Sequence, residues 1–408
     1  MNETIKYKLV NAIRYFGDAF FYPFFSLYLR SQDLVEDNIG FILSISPIIA
    51  IIANPIYSAI CNNIKKTKNT LKIVTCLEGL IILTIAFSSN FYLISALTLL
   101  MAICGSCHYG LMDSLTSVYS SENNISYSSI RIYGSIAYII ATTLGGYVID
   151  FLGFETSFAI ACILFIISGI MYHMIKPIEF DTDSNNHSDN NINNNSDIGN
   201  NKNINLENTT SSKLSIFKNK KYVLFIIFYM LLLGTHFSSD GFYSLYLESR
   251  GITSNEFGMV YSYFVTFEVL TLIYLNKTKK KFDTNKMLIL ASLLLITRLI
   301  CNYLYLDLYI VIAVSALRGI GYAICLHYCY DYVVKIVGAE KGTFAIMMMT
   351  LLYSLYLALF NNIFGNIIKN HSYKRFYFVA ICLAIIALII AIIRFIIYRK
   401  ENLKTNNS

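Results

Sequence analysis

Ser26-Leu27-Tyr28-Leu29 recurs as Ser244-Leu245-Tyr246-Leu247, 218 positions later. The same offset carries Gly40 onto Gly258 with no gap between, and further along it carries Asp113 onto Asp331. A register held over that distance, in a chain this apolar, implies two homologous halves built on one frame.

Composition says what the frame is made of. The chain has 408 residues, 56% of them hydrophobic and 14% charged, with a mean hydropathy of +0.55. A soluble domain carries about 25% charged residues, so this is an all-α, polytopic membrane protein. A spanning helix takes about 20 mostly apolar residues. Twelve such runs are present: 7–30, 38–61, 71–89, 91–119, 129–150, 156–176, 221–248, 255–275, 287–305, 307–335, 342–368 and 375–398. The first is long and carries Arg14 and Asp18, unlike a cleaved leader, so it is expected to be the first span. Pro47 and Pro55 fall inside the second, where neighbouring helices can compensate the lost hydrogen bonds. The nine cysteines lie almost all in apolar runs and read as small buried hydrophobes; Cys104-Gly-Ser-Cys107 has CxxC spacing but reads as packing. Trp is absent, which leaves 32 tyrosines to supply the interfacial belt and any aromatic ligand platform.

Residues 179–212 are mostly Asn, Asp and Ser, too polar to bury a core, and are expected to be a disordered linker. The expected organisation is an N-terminal six-helix bundle over 1–178, the linker over 179–212, and a C-terminal six-helix bundle over 213–408. Lysines mark one side of the membrane: Lys6 and Lys8, Lys65 to Lys72, Lys213 to Lys221, Lys277 to Lys286, Lys335 and Lys341, then Arg399 and Lys400. The opposite side has only Arg30, Arg250, Lys369, Lys374 and Arg375. By the positive-inside rule both termini and the linker are expected in the cytoplasm, which requires an even number of spans. The net charge of +7 is accounted for by these loops. The expected partners are the bilayer and a small-molecule substrate, with no nucleic acid, and the chain is expected to work as a monomer in the cell membrane.

Charges inside spans are costly and usually face a partner or a cavity. Arg14 and Asp18 share a face of the first span at i,i+4 and can pair. Asp113 and Arg131 flank the polar turn near Glu122, each about nine residues away, which places both roughly 13 Å deep in adjacent antiparallel helices. Together they could hold a polyhydroxyl ligand, the arginine through its fork and the carboxylate as acceptor; a hairpin-closing salt bridge is the plainer alternative. In the second half, Glu268 and Arg298 flank the lysine-rich loop, while His236 with Asp240 and His327 with Asp331 each share a helix face at i,i+4. Arg318 points to the face opposite His327 and is expected to serve a different partner. Acids and imidazoles in such a setting can carry protons, though for any one histidine a packing role is as good a reading. Glu78 is isolated in the sequence, with a helix-packing or headgroup role expected. No cluster of His, Cys or carboxylates has metal-site spacing, and no loop is rich enough in nucleophiles to host chemistry. Neither an enzyme nor a cofactor is expected, the proton as coupling ion apart.

Arg131-Ile-Tyr-Gly134-Ser135-Ile-Ala-Tyr138, with Tyr15-Phe-Gly-Asp-Ala-Phe-Phe-Tyr-Pro23-Phe-Phe-Ser-Leu-Tyr-Leu29, resembles the major facilitator superfamily, and within it the oligosaccharide:proton symporters typified by lactose permease. The resemblance covers essentially the whole transmembrane region and implies the major facilitator fold, with two pseudo-symmetric six-helix bundles. It places Asp113 and Arg131 on the family's sugar-binding acid and arginine. Tyr138 falls on the aromatic that stacks on the sugar ring, and Glu268 and Arg298 on an essential acid and arginine. The family's span-ten histidine position is Arg318 here, and its proton-linked acid is Gly321. Proton coupling would then fall to Glu268, Asp240 or the pair His327 with Asp331, and His236, Arg298 and Arg318 belong to the same set of coupling candidates. Substrate binding would fall to Asp113, Arg131, Tyr138 and Asp18. Cys61-Asn-Asn-Ile-Lys-Lys-Thr-Lys keeps only the positive charge of the superfamily's loop after span two. The implied function is secondary transport by alternating access, with proton-coupled uptake of a small polar solute such as a sugar. Nucleoside or aromatic-acid symport remains open, as does drug or metabolite export. Leu144-Gly145-Gly146 stands where drug antiporters have a Gly-Pro step, which favours uptake.

Overall fold

The computed structural model describes residues 2–61, 63–175, 215–278 and 282–405. The expected linker, 179–212, lies outside the described residues, as do Lys213 and Lys279 to Lys281. The described chain is helical throughout, and ten helices are long and apolar enough to cross a bilayer. Two further crossings complete the expected twelve. The first span is broken into Glu3–Phe21, a single 3-10 turn Tyr22–Phe24 that holds Pro23, and Phe25–Ser31. The helix Tyr127–Met174 doubles back at Gly153, whose φ of +85° is reached without strain only by glycine, so it holds the fifth and sixth spans. The others follow in order as Glu36–Ile60, Ile64–Ala86, Phe91–Glu122, Lys220–Glu248 with two breaks, Ser254–Lys277, Thr284–Tyr303, Leu308–Val337, Ala339–Asn370 and Tyr373–Thr405.

Helix starts follow side-chain capping chemistry. The side chains of Asn2, Asn63, Asn90, Asn219, Asp283 and Asp307 each accept from a backbone N–H in the first turn that follows. Thr253 and Glu256 form a reciprocal capping box at the start of the eighth span. Pro47 and Pro55 are accommodated inside one continuous second span. The fourth span is interrupted near Ser106, where Cys104 and Cys107 lie as free thiols in a small apolar cluster with Val74. The seventh contains a π-helical stretch, Met230–Gly234, and a second break at Gly241 and Phe242.

The repeat extends to the packing. Tyr28 is fully buried and donates to the carbonyls of Ile85 and Ser88, where the third span ends. Tyr246 is fully buried and donates to the carbonyl of Asn302, where the ninth span ends. Gly40 of the second span lies against the backbone of Asn361 and Gly365 in the eleventh. Gly258 of the eighth lies against Thr142 and Gly146 in the fifth; a methyl added there would come 2.6 Å from the Thr142 carbonyl oxygen. The halves therefore meet along two equivalent seams, second against eleventh and fifth against eighth, each admitting close backbone approach through a repeated glycine.

These seams lie toward the end of the bundle away from the termini. The Asp150 carboxylate accepts from the backbone N–H groups of Ser254 (3.1 Å) and Asn255 (2.9 Å), capping the eighth span from the other half. Lys369 pairs with Asp37 at 2.7 Å, and the Asn361 amide donates to the Leu43 carbonyl. At the opposite end each half ties its own helices together. Lys6 donates to the Met174 carbonyl and Lys68 to that of Ile175, while Asn219 donates to that of Ile336.

Candidate functional site: a cavity between two charge networks

A cavity of about 300 Å³ sits between the halves. The first half contributes Tyr22, Ser26, Leu43, Ser46 and Met101; the second contributes Phe237, Asp240, Ser244, Tyr261, Phe264 and Arg318. Ser26, in the first copy of the repeat, donates to the Gly241 carbonyl at 2.7 Å, a bond that ties the two halves together at the cavity wall.

Behind its second-half wall, residues far apart in sequence form one network. Arg298 Nη1 lies 2.5 Å from Asp240 Oδ1, and Arg318 Nε 2.9 Å from Asp240 Oδ2. Arg318 Nη1 reaches on to Glu268 Oε2 at 2.8 Å. His236 Nε2 stands 3.5 Å from Asp240 Oδ2. The two guanidiniums also lie over rings, Arg298 over Tyr243 at 4.3 Å and Arg318 over Phe264 at 4.5 Å. The four spans that supply these groups are apolar around them, so each charge needs its partner: removing one member of a buried pair typically costs about 3–5 kcal/mol. Five sequence candidates, Glu268, Arg298, Asp240, His236 and Arg318, are thereby brought together. Arg318 does serve a partner other than His327. His327 and Asp331 stand apart from this network and line a separate cavity of about 860 Å³ within the second half, with Asn285 and Lys335.

In the first half, Arg131 Nε is 3.7 Å from Asp113 Oδ1, a loose pair whose side chains remain 31% and 40% exposed. The Arg131 guanidinium covers the Tyr15 ring at 4.1 Å. Tyr15 in turn meets Tyr138 at 6.5 Å and Tyr109 at 5.5 Å between ring centroids. Tyr138 faces Tyr261 of the other half at 6.0 Å. Asp113, Arg131 and Tyr138 thus lie together on the first-half side, joined through the Tyr15 ring. Of the aromatic residues that join them, Tyr15 opens the first-span stretch that carries the family resemblance but was given no site role, and Tyr261 carried no motif; its only signal was position, one turn after Gly258.

The expectation for Glu78 is corrected. It is not isolated: it is fully buried and receives both terminal nitrogens of Arg14, Nη1 to Oε2 at 2.7 Å and Nη2 to Oε1 at 3.0 Å. Arg14 also pairs with Asp18 at 3.0 Å, as the i,i+4 spacing implies, and lies 4.0 Å over the Phe165 ring. Tyr22 donates to Glu78 Oε1 at 2.7 Å and Tyr109 to Asp18 Oδ2 at 2.8 Å. A third-span acid meeting a first-span base has no local sequence spacing to betray it, since the two are 64 positions apart.

Residues 13–380 match the MFS_1 like family. Over 336 residues the chain is 22% identical to an uncharacterized transporter, YwbF, of Bacillus subtilis (strain 168), covering 82% of this chain and 78% of that one. It is 19% identical over 285 residues to a probable 3-phenylpropionic acid transporter of Escherichia coli (strain K12), covering 68% of each. It is 26% identical over 145 residues to a maltose permease of Geobacillus stearothermophilus, covering 35% of this chain and 37% of that one. Among solved structures, a mutant of the nucleoside transporter NupG superposes with a TM-score of 0.81 at 15% identity, covering 97% of this chain and 100% of that one. The D-xylose-proton symporter superposes with a TM-score of 0.68 at 14% identity, covering 95% and 96%. These relatives are transporters and not enzymes, and their fold is the one described above. The chain belongs to the MFS_1 like family and is a membrane transporter of the major facilitator fold.

Proposed function

We propose that the protein is a secondary transporter that takes up a small polar solute, a sugar or a similarly hydroxylated molecule, together with a proton, by alternating access. The observation that carries this reading is the cavity between the halves. It is sealed by the seams at one end and walled by Arg318, Asp240, three serines and Tyr22 and Tyr261, a mixture of hydrogen-bond groups and ring faces suited to a polyhydroxyl ligand. The lysine-rich end, where the termini lie, is taken as cytoplasmic. On that assignment the sealed end is the external one and the structure is the state that faces the cytoplasm. Asp113, Arg131 and Tyr138 then lie along the inner part of the solute path, and the second-half network is the part that substrate meets through Arg318.

The aromatic density of the same walls, Phe237, Tyr261 and Phe264, with Tyr138 behind Tyr261, supports a nucleoside or an aromatic acid as the second substrate class. Purified protein in proteoliposomes, given an inward proton gradient, should accumulate one labelled member of a panel of sugars, nucleosides and aromatic acids, and external pH should rise with uptake. Accumulation that ignores the gradient would refute proton coupling, and absence of accumulation across the panel would refute the substrate class.

A further inference from the structure

Counting charges separates the two halves. In the second half the buried network holds two carboxylates, Asp240 and Glu268, against two guanidiniums, Arg298 and Arg318, and is balanced with His236 neutral. In the first half one guanidinium, Arg14, lies between two carboxylates, Asp18 and Glu78, and all three side chains are fully buried. One negative charge is left over, and burial in an apolar bundle is where an uncompensated charge is least tolerable.

Among the described residues, the nearby groups that could carry or offset a charge do not remove the excess. From the first span come Arg14 and the Tyr22 hydroxyl; from the fourth, Tyr109, Cys104 and His108. His108 is already engaged with Thr75 and with Tyr172 of the sixth span. Arg131 of the fifth span is committed to Asp113 and the Tyr15 ring. One acceptor is also unsatisfied. Asp18 Oδ1 is buried and accepts no hydrogen bond, since Arg14 approaches it off the required angle. The fourth span also packs closely on the acid: a methyl on Gly105 would come 2.7 Å from Glu78 Oε1, so a larger residue there would push the carboxylate from its present position.

We propose that Arg14, Asp18 and Glu78 form a proton-binding site, in which the two carboxylates share one guanidinium and one proton. Tyr22 connects it to the cavity, since its hydroxyl bonds Glu78 while the same residue lines the space between the halves. The site places the exchangeable proton in the first half, beside the cavity, and not at Glu268, Asp240 or the His327–Asp331 pair of the second half, where the sequence reading put it. Its role in coupling rests on the symport reading above; the presence of the proton does not.

The proton can be seen without a substrate. Infrared spectra of the purified protein in nanodiscs at neutral pH should show the C=O stretch of a protonated carboxylic acid, shifted in heavy water and unchanged when sodium replaces potassium at constant pH. Asp18→Asn and Glu78→Gln keep the side-chain shapes, and each leaves Arg14 with a single carboxylate, so each alone should abolish the band. Glu268→Gln should retain it. The proposal is overturned if wild type lacks the band, if either folded single variant keeps it, or if sodium removes it, which would make this a sodium site. Because both single variants make the same prediction, a folding failure in one leaves the other decisive. A protein with the band but no uptake would sink the symport reading and leave the site standing.

Discussion

Gly258→Ala is the smallest change that should open the sealed end. The added methyl would stand 2.6 Å from the Thr142 carbonyl oxygen and 3.3 Å from the Gly146 Cα, both backbone atoms of the opposing fifth span. No rotamer can relieve such a contact, so the seam itself must part by a few tenths of an ångström or more. Overpacking of this kind costs about 1–3 kcal/mol. The gain in helix propensity from Gly to Ala, about 0.5–1 kcal/mol, is present whether the seam is open or closed and cancels between those states. The population with the sealed end open should therefore rise by about 5- to 150-fold. Ser254 and Asn255, whose amides are held by Asp150 one turn before Gly258, report that opening. Hydrogen exchange of a peptide covering 252–257 should accelerate by that factor, while peptides within one half, such as 284–303, keep wild-type rates. Gly110→Ala is the control, because a methyl there meets nothing within 4 Å. If 252–257 exchanges no faster in Gly258→Ala than in Gly110→Ala, the seam does not depend on glycine contact and the pseudo-symmetric account of Gly40 and Gly258 is wrong.

Three further outcomes follow from named contacts. Asp150→Ala removes a cross-half cap from the eighth span, worth about 1 kcal/mol at an exposed helix start, and should speed exchange at 252–257 several-fold without lowering the melting temperature; unaltered exchange would show that the bonds to Ser254 and Asn255 carry no weight. Asp240→Ala leaves Arg298 and Arg318 buried without their shared acid, at a cost of about 3–5 kcal/mol, so the melting temperature should fall well below that of Asp331→Ala, whose carboxylate lies at the other cavity; equal melting points would contradict the network. Arg131→Lys keeps the charge but loses the planar fork and the face laid on Tyr15, and should weaken binding of the transported solute about ten-fold or more; unchanged affinity in a direct binding titration would make Arg131 structural.

How much of this was legible depends on whether the signal was local. The twelve crossings were readable because each is a run of apolar residues with its own caps, such as Asn90 or the Thr253–Glu256 box. The two-half frame was readable because Tyr28 and Tyr246, like Gly40 and Gly258, sit at one register and do one job. Pairs on a single helix, Arg14 with Asp18 and His236 with Asp240, were readable from spacing, and Asp113 with Arg131 from equal depth about one turn. Glu78 was misread because its partner is on another span, and neither the 3.6-residue period nor a hairpin relates them. Arg318 could be excluded from the face of His327, but its partners, Asp240 and Glu268, are fixed only by how the seventh, eighth and tenth spans pack.

The distribution of charge then separates two demands on the molecule. Rocking one half against the other asks for matched surfaces, and the matched features are backbone ones: a glycine in each seam, and a buried tyrosine tying the end of the first or seventh span to that of the third or ninth. The only in-register charge noted in the sequence, Asp113 with Asp331, lies in neither buried network; Asp113 is partly exposed and Asp331 lines the second-half cavity. Coupling asks for the reverse, since a proton and a solute must be held by different groups and yet sense each other. The unrepeated charges meet that demand by standing on either side of one cavity, the odd carboxylate behind Tyr22 and the balanced network behind Arg318. At the proposed site, loss or gain of a proton on Asp18 and Glu78 would change the net charge facing Arg318 across about 300 Å³ of cavity, an interaction that strengthens as water is excluded from the space between them. A solute bridging that space would feel the change without touching either acid.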